Sequence, residues 1–456
     1  MNRYCMKNWM LALLSMIALQ AMADTARDSI PPKNNKLSID LQFMGRGEMR
    51  YGGITVDEDV EETEEGSSEV PKSNFLLSRT RLAINYQRDW LEACVTPQHS
   101  GVWGQAGKGA FNLYETWVKL TSRQGLFAQV GRVALSYDDG RIIGSDDWAM
   151  ASQSHDVLRV GYEGHGHKAH AIFAYNQNSS AMTGSSYYVN GAQPYKTMQT
   201  VWYHYDLPKF PLGASLLFMN IGMQGEDESP EAIGKKDKGV TRFQHLLGGF
   251  VSFNPDCWQA SAAYYHQFGH NEEDMKIDAW MASAKVTFKP KSNYSFTVGY
   301  DYLSGDKYFA VPSKGSLGMV HHDVLRGFST VYGAHHQFYG AMDFFYVSTY
   351  LNGFTPGLQN VYVGGQYSPL RGLTINGSYH YLAIATNLPD MKRTLGHEIE
   401  LQASYSLSRD VCLSVGGSWM KGSETMKKLK RSSHNNILRW SWISLIVTPR
   451  IFSTKW

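Results

Sequence analysis

The chain has 456 residues and a formal net charge of +2, so its charge balance points to no nucleic acid and no other strongly charged partner. Aromatic residues make up 13% of it and there are 43 glycines, a composition suited to aromatic belts and many turns. Beyond the N-terminal twenty-odd residues no apolar stretch is long enough for a membrane-spanning helix, so a membrane role requires a closed barrel.

Residues 1–23 read as a secretory signal peptide. Arg3 and Lys7 give the charged start, Trp9 to Leu19 the short apolar run, and Ala21-Met22-Ala23 the small-residue cleavage site. The alternative is an N-terminal anchor. Cleavage would leave a chain starting at Asp24, a periplasmic segment over 24–35, and Cys94, Cys257 and Cys412. An odd number of cysteines in an oxidising compartment argues against a disulfide framework.

Residues 36–456 are predicted to form one transmembrane β-barrel. In the first strand Leu37, Ile39, Leu41, Phe43 and Met49 share one parity, and Ser38, Asp40, Gln42, Arg46, Glu48 and Arg50 the other. The second sets Leu76, Leu82, Ile84 and Tyr86 against Arg79, Arg81, Asn85 and Gln87. Similar alternation recurs near 295–302, 373–381 and 398–405; segments 125–137 and 258–268 alternate less cleanly. Short turns fall near 88–89, 122–125, 164–167, 208–211, 254–256, 290–293, 369–372 and 408–410. Long connections cover about 51–74, 99–111, 138–154, 177–195, 225–240, 269–275, 304–356, 386–393 and 423–436. Eight turns alternating with nine loops give about eighteen antiparallel strands, with short periplasmic turns and long extracellular loops. Residues 334–347 belong to the long loop on this count, because one more strand would break the alternation. A soluble sandwich rarely needs so many residues, and no 20–30-residue repeat marks a β-helix.

The chemistry concentrates on arginine. Arg46, Glu48 and Arg50 on the first strand and Arg79 and Arg81 on the second share one inward patch. Clustered guanidiniums repel and need compensation, either from carboxylates such as Glu48 or from a passing anion, since arginine grips carboxylates bidentately. Arg132 and Arg159 are expected to extend the set. Arg141, among Asp138, Asp139, Asp146 and Asp147, would bind a sugar acid or tie its loop down. The loop from Asp57 to Glu69 carries eight acidic residues, and 421–431 is basic; closing the barrel sets these two side by side at the seam. The histidine clusters His165/His167/His170, His321/His322 and His335/His336 lack the companion ligands of a metal site. No nucleophile, P-loop or paired-carboxylate signature stands out, so no cofactor and no enzymatic activity are expected.

Several strings resemble the alginate-export family of outer-membrane barrels. They are Arg46-x-Glu48-x-Arg50; Ser78-Arg79-Thr80-Arg81-Leu82; Val130-Gly131-Arg132, continued by Tyr137 through Gly144 to Trp148; Tyr302 through Asp306; Tyr332, His335 through Gly340 and Asp343-Phe344-Phe345; and Leu395 through Leu401. The resemblance implies an eighteen-stranded barrel whose arginine-lined pore passes an anionic polysaccharide. The sequence reading is therefore an outer-membrane pore of a Gram-negative bacterium for anionic, uronic-acid-type saccharides. Its partners would be outer-membrane lipid and lipopolysaccharide, the saccharide itself and, through the terminal aromatic Trp456, the barrel-assembly machinery, with no nucleic acid. The alternatives are a general small-solute porin, a membrane-embedded enzyme and a plugged structural barrel. Loop 304–356 is expected to gate the mouth, since connections this long are usually functional or disordered.

Overall fold

The structure, a computed structural model, describes residues 34–52, 72–105, 109–176, 195–226, 239–306, 324–345, 355–388, 391–430 and 437–456. Residues 1–33, the acidic run 57–69 and His321/His322 lie outside the described residues.

Eighteen antiparallel strands close on themselves. They are β1 (Lys36–Tyr51), β2 (Lys72–Arg88), β3 (Leu91–Val102), β4 (Ala110–Thr121), β5 (Leu126–Val133), β6 (His155–Gly164), β7 (His167–Tyr175), β8 (Thr197–Asp206) and β9 (Leu212–Glu226). Then follow β10 (Gly239–Phe253), β11 (Trp258–His270), β12 (Lys276–Lys291), β13 (Tyr294–Leu303), β14 (Leu358–Leu370), β15 (Leu373–Ala383), β16 (Thr394–Ser406) and β17 (Val411–Gly422). The last strand, β18, comprises Ile437–Val447 and its continuation Arg450–Lys455, interrupted at Thr448-Pro449. Proline lacks the N–H a ladder needs, which accounts for the break. Both parts of β18 pair with β1 and seal the sheet, so no strand edge meets lipid. A two-residue strand, Val324–Leu325, lies within the long loop between β13 and β14 and pairs parallel with β12.

The alternation rule holds around the wall. Val286, Val298 and Val363, directly opposed on β12, β13 and β14, are among the exposed large hydrophobics that form the lipid face. The eight short turns and nine long connections fall where the sequence places them, and 334–347 carries only a 3-10 turn at His335–Gln337 among its described residues.

One expectation fails. Inward faces are predicted to be polar, yet from β7 to β12 they carry Ile172, Met198, Leu217, Met219, Leu246 and Met281, all almost fully buried. Two inward-folded loops cover them. Leu135, Tyr137, Ile142 and Ile143 come from the β5–β6 connection; Phe328, Tyr332, Tyr339 and Met342 come from the β13–β14 connection. An interior apolar row is stable only when apolar side chains exclude water from it, and these loops do so.

Replacing Val298 by arginine should cost about 2–4 kcal/mol, because the charge enters the lipid band. The same change at the neighbouring inward Thr297 should cost far less. Denaturant unfolding in lipid vesicles measures both.

Candidate functional site

The inward parity of β1 and β2 presents Arg46, Glu48, Arg50, Arg79 and Arg81 on one stretch of wall, as the alternation requires. Arg46 Nε donates to Glu48 Oε1 at 2.8 Å, and Arg50 Nη2 to Glu48 Oε2 at 2.9 Å. Trp440 on β18 adds its indole N–H to Glu48 Oε2 at 3.0 Å. One buried carboxylate thus accepts from three side chains and stays aimed at two guanidiniums.

The remaining donors take hold of the β5–β6 loop. Arg46 Nη1 donates to Trp148 O at 3.0 Å. Arg79, 0% exposed, donates to Asp147 O, Ala149 O and Ser152 Oγ at 2.9–3.0 Å. Arg81 donates to Gln98 Oε1 and Ser152 Oγ, and meets Asp147 Oδ1 at 2.6 Å. Gln42 accepts from both Arg79 and Arg81, and Gln98 Nε2 donates to Ala151 O. A loop entering a barrel brings carbonyls that need donors, and this wall supplies them.

Trp148 sits at the centre. Arg46 Cζ lies 4.0 Å from its ring centroid on the one hand, and His336 from the other loop stacks at 4.4 Å with a 9° interplanar angle. Trp442 and Trp440 meet it edge-on at 4.9 and 5.9 Å. Cation–π and aromatic contacts of this kind hold an indole in a defined pose.

The two loops also bond directly. Tyr332 N donates to Ile142 O, Gly144 N to Tyr332 O and Ala334 N to Gly140 O, all within 3.0 Å. Gly144 permits this approach, since a Cβ there would lie 2.7 Å from Ala334 N of the other loop. Two strands before β18, β16 offers carboxylates instead of cations. Glu398 accepts Met342 N–H at 3.0 Å, and Glu400 accepts Ala341 N–H at 2.7 Å. One loop is therefore held by its carbonyls on guanidiniums, the other by its amides on carboxylates. Asp138, at the β5–β6 loop's other end, accepts from Trp202 Nε1 and Tyr265 Oη on β8 and β11. Burial pushes its pKa up, against those hydrogen bonds. Burial likewise raises Asp146, with His336 nearby pulling the other way.

Three expected site residues lie apart from this patch. Arg159 on β6 does face inward, with Cζ 5.4 Å from the Phe127 ring. Lys119 of β4 stacks on the same ring at 4.8 Å, making a second cationic step that the sequence reading missed. The signal was there, since Lys119 alternates with Val118 and Leu120. Arg132 faces the other way. Gln129 and Val133 are buried and Val130 is exposed, so Arg132 shares the outward parity of Val130 and pairs with Asp156 there at 2.7 Å. It is not pore-lining. Arg141 is buried between the loops, bonded to Asp139, Asp301 and Tyr339 Oη. Of its two readings, tying the loop down is the one realised. Trp148, His336, Gln42 and Gln98 also escaped notice as a site, because nothing local brings residues of four connections and strands together.

A family described as alginate export matches residues 103–438. The chain belongs to the alginate-export family. No curated protein matches it. Among solved structures, Pseudomonas aeruginosa OpdL superimposes with a TM-score of 0.58 at 13% identity, covering 91% of this chain and 99% of that one. P. aeruginosa OccK2 (OpdF), solved in complex with glucuronate, gives 0.56 at 12% identity over 91% and 98%. Acinetobacter baumannii OccAB1 gives 0.55 at 11% over 92% and 97%. At these identities the likeness establishes the shared barrel fold. This alginate-export barrel is thus an outer-membrane pore protein with two loops folded into its lumen.

Gly340 has φ +94°, and a Cβ on it would lie 2.3 Å from Glu398 Oε2. Gly340→Ala should therefore destabilise the β13–β14 loop by more than about 1 kcal/mol. The expected readout is faster protease cleavage within 324–345, with the barrel's own thermal transition little changed.

Proposed function

We propose that this chain is a passive, non-enzymatic pore for anionic saccharides of the uronic-acid class. The observation that carries the reading is the quartet Arg46, Arg50, Arg79 and Arg81, which is ion-paired to two carboxylates, Glu48 and Asp147, among the described residues. Most of their other hydrogen bonds end on neutral oxygens: the carbonyls of 147–149, Gln42, Gln98 and Ser152. Neutral acceptors satisfy donors without cancelling charge. The patch therefore keeps a positive field while offering few free donors for a tight grip. A pore needs attraction strong enough for entry and weak enough for exit. Arg50, whose side chain is 53% exposed, gives a carboxylate its first contact, and Arg159 with Lys119 continues the cationic wall. The glucuronate in OccK2 supports a sugar acid as the ligand class in a barrel of this shape.

On this reading the chain is exported by residues 1–23, which are then cleaved. The exposed Trp456, bonded through its backbone to Asn35 beside the seam, remains the contact offered to the assembly machinery. The β13–β14 loop acts as the gate together with the β5–β6 loop. A second reading, a barrel closed at rest, draws on the apolar packing that fills the β7–β12 side of the lumen.

Planar-bilayer recordings in a salt gradient test the proposal. The native chain should prefer anions, and Arg50→Gln should lower the anion-to-cation permeability ratio about twofold, because one charge is removed from a hydrated site. Asp147→Asn should raise that ratio by a similar factor and enlarge conductance by releasing the loop. Conductance without ion preference would leave a general porin, and silence in every variant a plugged barrel. Oligouronates should block the open channel at concentrations where neutral oligosaccharides of equal length do not.

A further inference from the structure

We propose that the outer wall carries a binding site for the phosphates of the outer leaflet's saccharolipid, lipid A, built by Lys72 and Arg439 on either side of Tyr51. The three are direct cross-strand partners on β2, β18 and β1, at the end of the barrel bearing the long loops. All point away from the lumen. Met49, two residues before Tyr51, is 59% exposed, and Leu438 and Trp440, which flank Arg439, are buried inward. Lys72 Nζ lies 5.6 Å from the Tyr51 ring centroid, and Arg439 Cζ lies 5.7 Å from it. Trp419 of β17 opposes Arg439, and Lys421 follows two residues farther along the same face.

Elsewhere on this outer surface Arg132 pairs with Asp156 at 2.7 Å, and His266 bonds to Asp278 at 2.9 Å. Lys72 and Arg439 are both exposed, and their contacts among the described residues are with the Tyr51 ring, not with a carboxylate. Two like charges held one strand apart on either side repel unless an anion joins them. Deep in hydrocarbon they would be strongly unfavourable. At the interface the penalty largely vanishes, and indole and phenol rings settle at headgroup level. Two strand spacings of about 4.8 Å separate their backbones, and side chains this long can converge on one phosphate, with the arginine fork gripping two of its oxygens. The lipid's own phosphate is an anion at that depth. Each cation so placed strengthens attraction to an anionic surface by a factor of about five.

Native mass spectrometry of the full-length protein in detergent, titrated with bis-phosphorylated lipid A, tests the site. Lys72→Gln or Arg439→Gln alone should weaken binding about fivefold and the pair about thirtyfold. Arg132→Gln, on the same outer face, should leave it unchanged, and Lys72→Arg with Arg439→Lys should preserve it. Lipid A stripped of its phosphates should bind the native chain as weakly as phosphorylated lipid A binds the double variant. The heat-dependent gel mobility of the barrel reports folding of each variant, and the single variants decide the matter should the double one not fold. Undiminished binding to folded variants, equal binding of the dephosphorylated lipid, or displacement by equimolar inorganic phosphate would each overturn the site.

Discussion

The guanidiniums of Arg46 and Arg79, bonded to the backbone carbonyls of 147–149, with Arg81 on the Asp147 carboxylate and Ser152 Oγ, are the interaction on which the interior depends. Each side of it is unfavourable alone. Four cations on neighbouring strands repel in the low-dielectric wall, and a loop drawn out of water loses partners for its carbonyls. Together they resolve both problems, because a guanidinium offers several donors in a fixed fork and a bent loop offers several acceptors at matching spacing. Trp148 then follows as a consequence. Its carbonyl is held by Arg46, so its ring must lie where Arg46, His336 and the β18 tryptophans meet.

From that anchor the rest of the interior is ordered outward. The β5–β6 loop, fixed at one wall, lays its apolar side chains on β7–β12 and its edge against the β13–β14 loop. The β13–β14 loop presents amides to Glu398 and Glu400 on β16, three strands from β1 across the seam. A barrel of this kind has two hydrophobic environments, lipid outside and a packed core inside.

The balance of charge against hydrogen bonding is what separates attraction from capture. A carboxylate that met four bare guanidiniums would be held tightly. Here neutral oxygens already occupy most donors, while only Glu48 and Asp147 offset the charge by ion pairing among the described residues. Asp147, itself 52% exposed, stands where an incoming carboxylate would stand. The loop thus serves as both constriction and a permanent competitor for its wall.

The sequence by itself determined the barrel, because a period of two along each strand fixes which side chains meet lipid and which the interior. Strand number followed from the alternation of short and long connections, and the facing of Arg46, Arg50, Arg79, Arg81 and Arg159 from parity alone. Parity failed at Arg132, where a short strand with Gly131 at φ +128° obscured the alternation. What only the tertiary structure decided was everything that happens inside the cylinder. No local rule tells a loop to fold inward rather than outward. Apolar residues of inward parity, such as Met198, Leu217 and Met281, hint that something must cover them, but not what. Contacts such as Trp148 with His336, or Arg141 with Asp301, join residues more than 150 positions apart, and the physical reason they form is closure of the sheet, which brings opposite walls within reach of the same loops.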